Sequence, residues 1–405
     1  MKVVQINALG ATLSTGRTTR EMHNYFLSMG IESYIITACN SDCDDAYAVS
    51  NMRAMHVDSF LTMVTGLEAY HSRGKTKKLI YYLKQIKPDI VHLRVVHNSF
   101  LNLKLLLEYL GENDVATVIT LHDFWFMTGK CCFYNHIPCY RWESGCHDCP
   151  SMKEDKRKKW FDKSFKMWND KKKWLNNIPR LAVVGNSKWT ANESRRSILK
   201  CAKIIEPIYN WIDFQDFHPC DGTLLRKQLK LGFKKIILGI SANWAQNDRK
   251  GFDNYLDLAK ILPSNYIIIL VGNIHYDGIL PENIYSLPRT NSVAQLAEYY
   301  SMADVYLNLA VGETFGKVSA EAISCGTPVV AFNATANPEI VPPGAGIVID
   351  NTNPQTILSA LQKIFLKEKA YYKEACLKHA KENFDKDTNI EKYINLYQRL
   401  LNWSN

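Results

Sequence analysis

Short aliphatic runs and stretches of helical spacing alternate along almost the whole chain, and this alternation restricts the fold more than any single motif. Strand-like runs at 3–7, 33–37, 89–93, 116–121, 180–185 and 203–206 are separated by helical patterns at 18–29, 76–87, 99–111 and from 187 onward. A strand–helix–strand series of this kind predicts parallel sheets covered by helices on both faces. The alternation breaks at 207–219, where Pro207, Asn210, Asp213 and Pro219 gather, and resumes at 235–240, 251–262, 266–271, 293–302, 305–309, 315–324 and 329–332. A chain of 405 residues exceeds what one core normally serves. The expected class is therefore α/β, with two doubly wound Rossmann-like domains: 1–206, a linker at 207–219, and 220–385. Facing one another, they would hold a ligand in a cleft outside the carboxyl ends of their strands.

Within the second series, V311-G-E-T-F-G-K-V-S-A-E-A-I-S-C-G-T-P-V-V-A331 carries the most chemistry. A strand leads into a glycine-bearing turn, a helix ended by Cys325-Gly326, and a further strand. Free N–H groups and the positive dipole end at such a helix start favour an anionic phosphate. Gly316 admits close backbone approach, Glu313 projects from the turn, and Glu321 falls about a turn into the helix at ~1.5 Å per residue. Two carboxylates so placed can accept hydroxyls from the two sugars of a nucleotide-sugar. The competing reading, two glutamates on the wet face of an amphipathic helix, fits the spacing of the pair alone.

The pattern E-T-F-G-x4-E-A-x2-C-G-T-P-V-V resembles the signature of the retaining GT-B glycosyltransferases of family 4, the group 1 glycosyltransferases. The resemblance is strongest over 239–350 and weaker over the first 200 residues. It implies transfer of a sugar from a nucleoside-diphosphate donor to an acceptor hydroxyl, with no cofactor or metal required for catalysis. It also implies that the last helix, 386–405, crosses back to the first domain, and that Asn210 and Asp213 match a junction motif. By the same resemblance Glu313 holds the transferred sugar, Glu321 the ribose, and Thr314, Phe315 and Gly316 present backbone N–H groups to sugar and phosphate.

Arg249 and Lys250 follow the first strand of the second series and open a helix, the position of a phosphate-binding turn. They are candidates for stabilising the leaving diphosphate, with a solvated loop pair as the alternative. The family often has an arginine six residues before this lysine; here that residue is Trp244. In the first series, the 7–18 loop contains Gly10, Gly16 and Arg17, of which Gly16 and Arg17 are donor-site candidates by resemblance. His122 and Asp123 stand just past a strand end, and the family commonly has a histidine there that contacts the donor. Asp42-Cys43-Asp44 spells a D-x-D without supporting residues and reads as coincidence.

The insertion at about 129–150 packs Cys131, Cys132, Cys139, Cys146 and Cys149 with His136 and His147. Cys146 and Cys149 form a C-x2-C pair, and Cys139 with Cys131 or Cys132 could complete a structural zinc site; unmetallated loop thiols are the alternative. Net charge is +9, concentrated at 152–174, where lysines interleave with Trp160, Phe161, Phe165, Met167, Trp168 and Trp174. That mixture suits an anionic membrane surface, or a helix with one core face. No recognised nucleic-acid module accompanies the patch, so no nucleic-acid partner is expected. With no apolar run long enough to span a bilayer, the expected location is cytoplasmic, peripheral at the inner membrane face, with a glycan or lipid-linked glycan acceptor in surface-polysaccharide synthesis. A GT-B epimerase or phosphorylase, or a metal-dependent nucleic-acid binder, are the rival readings; the donor base stays open between UDP and GDP.

Overall fold

The computed structural model describes all residues except 40–42, 136, 153–160, 246–247, 291 and 404–405. Asp42 of the D-x-D, His136 of the insertion and Trp160 of the basic segment therefore lie outside the described residues. The chain forms two compact units, Met1–Ile208 with Ile390–Asn405, and Tyr209–Asn389.

The first unit runs β1 (Lys2–Ile6), α1 (Leu13–Ser28), β2 (Glu32–Thr37), β3 (Tyr47–Ala48), α2 (Met52–Thr65), α3 (Arg73–Ile86), β4 (Ile90–Leu93), α4 (Leu103–Glu112), β5 (Ala116–Leu121), α5 (Ser164–Asn176), β6 (Leu181–Gly185), α6 (Lys188–Arg196) and β7 (Ile204–Pro207). Its seven strands are ordered β3-β2-β1-β4-β5-β6-β7 and every pairing is parallel. The order reverses direction between β1 and β4, so the loops leaving those two strands are neighbours.

The second unit runs α7 (Thr223–Gln228), β8 (Lys235–Trp244), α8 (Phe252–Ala259), β9 (Tyr266–Ile274), β10 (Ile284–Leu287), α9 (Val293–Met302), β11 (Val305–Asn308), α10 (Lys317–Ser324), β12 (Val329–Phe332), α11 (Asn337–Ile340), β13 (Gly346–Ile349) and α12 (Pro354–Phe384), which is broken at Glu368 (φ 61°). Its sheet, β10-β9-β8-β11-β12-β13, is also parallel throughout and reverses between β8 and β11. Both sheets are central because their strands are apolar on both faces; Ile90–Leu93, Ala116–Leu121 and Val305–Asn308 are buried at every position.

The segment 207–219 is not a bare tether, since Ile212 and Phe217 belong to the second unit's core. The last helix, α13 (Lys386–Leu401), starts in the second unit, where Lys386 pairs with Asp213, and from Ile390 onward it completes the first unit. There Tyr397 Oη lies 2.8 Å from His92 Nδ1, while His92 Nε2 lies 2.8 Å from Thr120 Oγ1, which in turn is 3.1 Å from Tyr393 Oη. Burial pushes the His92 pKa well below the ordinary histidine value, so its ring stays neutral and both nitrogens find hydroxyl partners.

Three local expectations change. Helix α1 begins at Leu13, with Thr12 extended at its N-cap, so Gly16 and Arg17 sit inside its first turns and not in a loop. Helix α2 carries no core-facing periodicity: Met52, Val57, Phe60 and Val64 are exposed, which hides it from a search for amphipathic spacing. Its start is set by Asn51, whose Oδ1 accepts from Ala54 N at 3.0 Å. In α5, Met167, Trp168 and Trp174 are core residues, so for them the helix with one core face is the reading that holds and the membrane-facing one is corrected: their helical spacing is that of a buried stripe. Phe161 and Phe165 remain exposed. No helix among the described residues is long and apolar enough to cross a membrane.

Replacing Tyr397 by Phe strands His92 Nδ1 in a dry core and should cost the first unit ~1–3 kcal/mol. Denaturant titration of the variant should show its unfolding midpoint lowered with the slope unchanged.

Candidate active site

In the second unit the reversal of strand order puts the turn after β8 beside the turn after β11. Arg249 and Lys250 occupy a short 3-10 turn, Asp248–Lys250, and Gly251 (φ 68°) then enters α8. A Cβ on Gly251 would stand 2.9 Å from the Leu309 carbonyl oxygen, so only glycine lets the two turns approach this closely. Val311 N–H donates to the Arg249 carbonyl at 3.0 Å. Across this join the Lys250 ammonium makes an ion pair with Glu313 Oε1, both side chains remaining partly exposed.

The β11 turn is built around two buried amides. Asn308 Oδ1 accepts from Ala310 N at 3.1 Å, and its Nδ2 donates to Ser319 Oγ at 2.9 Å. Asn337 Nδ2 donates to the carbonyls of Ala310 and Phe332 at 3.2 and 3.0 Å. Glu313 N–H donates to Thr335 Oγ1 at 3.1 Å. These bonds fix the turn so that Gly316, in the left-handed region at φ 87°, caps α10. Thr314 and Phe315 are buried beneath it, Phe315 in the core.

Glu321 is 5% exposed and its Oε2 accepts from Tyr300 Oη at 3.0 Å. Burial and the Glu321 charge push the Tyr300 pKa well above the tyrosine range, so the phenol remains a donor. Trp244, which occupies the position of the family's arginine, is a core residue whose Nε1 donates to the Val271 carbonyl at 3.0 Å. It cannot supply a second cation, and Arg249 stands beside Lys250 in the same turn.

In the first unit the strand reversal gathers a second set. Arg94, 3% exposed just past β4, donates to Gln5 Oε1 of β1 at 3.2 Å, to Thr18 Oγ1 of α1 at 2.7 Å, and through Nε to His122 Nε2 at 3.2 Å. His122 is thus tied to the same buried guanidinium as the helix carrying Gly16 and Arg17. Arg17 itself lies 3.9 Å from Glu21. Asp123 Oδ2 takes His97 Nε2 at 2.7 Å, and its Oδ1 accepts from Trp125 N. Burial opposes the charged His97 ring, but Asp123 and Cys132 outweigh it and hold the pKa well above the ordinary value. A cavity of about 580 Å³ opens beside His97, lined by Met52, Met55, Phe60, Met63 and Lys130 among others.

Arg94, His97, Asn308, Tyr300 and Asn337 were not singled out from sequence. A polar residue inside an otherwise apolar strand run, as in I90-V-H-L-R94 and V305-Y-L-N308, was the available signal. For metal binding, His97, Asp123 and Cys132 present donor atoms within 4.8 Å of one another. Cys131, Cys139, Cys146 and Cys149 line one small cavity, with Cys131 and Cys149 sulfurs 3.9 Å apart.

Comparison with known proteins agrees with this construction. Residues 225–382 match the family described as glycosyl transferases group 1, and residues 15–216 match glycosyltransferase family 4. N-acetyl-alpha-D-glucosaminyl L-malate synthase of Bacillus anthracis is 28% identical over 189 residues, 42% of this chain and 48% of that protein. The chain spans less than half the length of the curated relatives it matches. Sucrose-phosphate synthase from Thermosynechococcus elongatus superimposes with a TM-score of 0.70 at 16% identity, covering 98% of each chain. Anabaena Alr3699/HepE in complex with UDP gives 0.68 at 16% identity, covering 98% of this chain and 100% of that one. With both halves matched and the fold shared end to end, this chain belongs to the family 4 glycosyltransferases and has their two-domain GT-B fold.

Proposed function

We propose that the protein is a retaining glycosyltransferase that moves a sugar from a nucleoside-diphosphate donor to an acceptor hydroxyl without a catalytic metal. The observation that carries this reading is the Lys250–Glu313 pair at the strand reversal of the second unit, beside the N-terminus of α10. Cleaving a glycosyl diphosphate leaves charge on the diphosphate, and the main catalytic demand is to stabilise it. A donor diphosphate would compete for the Lys250 ammonium and free Glu313 to accept hydroxyls of the transferred sugar. Glu321 takes the ribose in this scheme, its orientation held by Tyr300. Arg249 adds charge, while the N–H groups of Thr314 to Gly316 position sugar and phosphate. The leaving diphosphate is the base that receives the acceptor proton, so attack comes from the leaving-group face and the configuration is kept.

The first unit offers an acceptor site. His122 is oriented by Arg94, and the His97–Asp123 pair borders the 580 Å³ cavity. Its methionine-rich wall suits an acceptor with an apolar part, and the exposed apolar face of α2 suits contact with a membrane carrying such an acceptor. Synthesis of a surface polysaccharide would use an acceptor of that kind.

Lys250→Ala, which removes a charge-stabilising donor, and Glu313→Gln, which removes the carboxylate acceptor of the sugar hydroxyls, should each lower kcat by roughly 10²–10³ in an assay of nucleoside-diphosphate release. Activity within twofold of wild type in both variants would sink the proposal. Nuclear magnetic resonance of the new linkage should show the anomeric configuration of the donor.

The raised His97 pKa makes a pH prediction. A group protonated more readily folded than unfolded contributes stability that is complete below the unfolded value near 6.5 and is lost as pH rises through the higher folded value. The melting-temperature gap between wild type and His97→Gln should therefore be full below about pH 6.5 and narrow steadily as pH rises from there.

A further inference from the structure

Between β5 and α5 the described residues from 122 to 152 hold two short 3-10 turns, Arg141–Glu143 and Pro150–Met152, and no longer element. Connections beyond about 12–15 residues without regular structure are uncommon unless something else holds them. Part of what holds this one is visible. Arg141 Nη1 donates to the His147 carbonyl at 2.7 Å and also reaches the Asp148 carbonyl, closing the turn that carries Cys146 and Cys149. Trp142 is buried, and its carbonyl accepts from Trp168 Nε1 at 2.8 Å.

At the centre of this segment Cys131, Cys139, Cys146 and Cys149 line a single cavity of about 20 Å³, walled by Tyr134 and Trp142. All four are free thiols. Cys131 Sγ and Cys149 Sγ lie 3.9 Å apart. Four Zn–S bonds of about 2.3 Å in a tetrahedron give sulfur–sulfur edges of about 3.8 Å, so this pair already stands at one edge of such a site. Gly129 N–H donates to Cys146 Sγ at 3.1 Å, so this sulfur already serves as an acceptor. The surrounding charge is cationic. Lys171 is buried, its ammonium held by the Trp125 carbonyl and lying 4.0 Å from the Trp125 ring centroid, and its charge acts on Cys146; that of buried Lys130 acts on Cys149. Two buried ammonium groups suit a centre whose four thiolates and one Zn²⁺ sum to −2.

We propose that Cys131, Cys139, Cys146 and Cys149 bind one Zn²⁺ as a closed, structural site that pins this segment, independent of the transfer chemistry. Binding releases the four thiol protons to solvent and makes four Zn–S bonds, with no change in oxidation state. Three donor atoms mutually within 4.8 Å occur among the described residues only at His97, Asp123 and Cys132, so metal binding here requires Cys139 and Cys146 to turn toward the Cys131–Cys149 edge. That second group is accounted for as an ion pair between His97 and Asp123, whereas the four thiols form no disulfide, and Cys131 and Cys149 share the Ser151 hydroxyl at 3.3 and 3.2 Å. Cys132 takes no part in the cavity; its Sγ lies 3.9 Å from His97 Nε2.

The test is elemental analysis of the full chain purified under thiol reductant after expression with added zinc. Wild type and Cys132→Ser should each carry one zinc per chain, and Cys146→Ser and Cys149→Ser should lose it. Because those two variants could fail to fold, Co²⁺ exchanged into the wild type supplies a second readout: strong thiolate-to-metal charge-transfer absorption with the visible bands of a tetrahedral ion. Metal-free wild type, zinc lost on Cys132→Ser but kept by Cys146→Ser, a Co²⁺ spectrum lacking thiolate absorption, or a mass showing a Cys131–Cys149 disulfide would each overturn the assignment.

Discussion

Parallel pairing is the constraint on which the rest of this structure depends. A parallel strand cannot be followed by its neighbour through a tight turn, so most connections here cross over through a helix, those from β2 to β3 and β9 to β10 being loops among the described residues, and all carboxyl ends come out on one edge of the sheet. Where the order of strands reverses, two consecutive crossovers go to opposite faces and leave a gap between adjacent turns. Each unit has one such place, between β1 and β4 and between β8 and β11. Arg94, Gln5 and His122 meet at the first, and Lys250 and Glu313 at the second. Neither group needs a dedicated scaffold, because the topology supplies it.

What the topology does not supply is exact position, and here buried polar contacts decide. Asn308 and Asn337 give up hydration only because their amides replace water at the carbonyls and N–H groups of the β11 turn. Arg94 spends its guanidinium inside the first unit on Gln5, Thr18 and His122. A buried arginine is costly unless fully bonded, so its presence shows how strongly the orientation of that wall is specified.

Much of this was legible in sequence. Apolar runs marked the central strands because both faces are covered, and the glutamate unit stood out because a turn, a helix start and two carboxylates recur together. The misreadings have a common cause: residue type and spacing do not say which side of a helix faces the core. Trp168 and Trp174 looked interfacial because lysines flank them, yet their spacing is that of a buried stripe. Helix α2 was invisible because its apolar residues point outward, and Gly16 was read as loop although the helix starts at Leu13. Arg94 and His97 act through residues distant in sequence; only the polar interruption of the apolar run at 90–94 marks Arg94, and no local pattern announces His97.

The central claim is that Lys250 is the diphosphate group of the donor site and Glu321 the ribose group. Calorimetric titration of the preferred nucleoside diphosphate and its monophosphate, against wild type, Lys250→Ala and Glu321→Ala, tests it most directly. The account predicts that wild type prefers the diphosphate, that Lys250→Ala erases this preference, and that Glu321→Ala weakens both ligands by the same factor. A diphosphate preference that survives Lys250→Ala would contradict it.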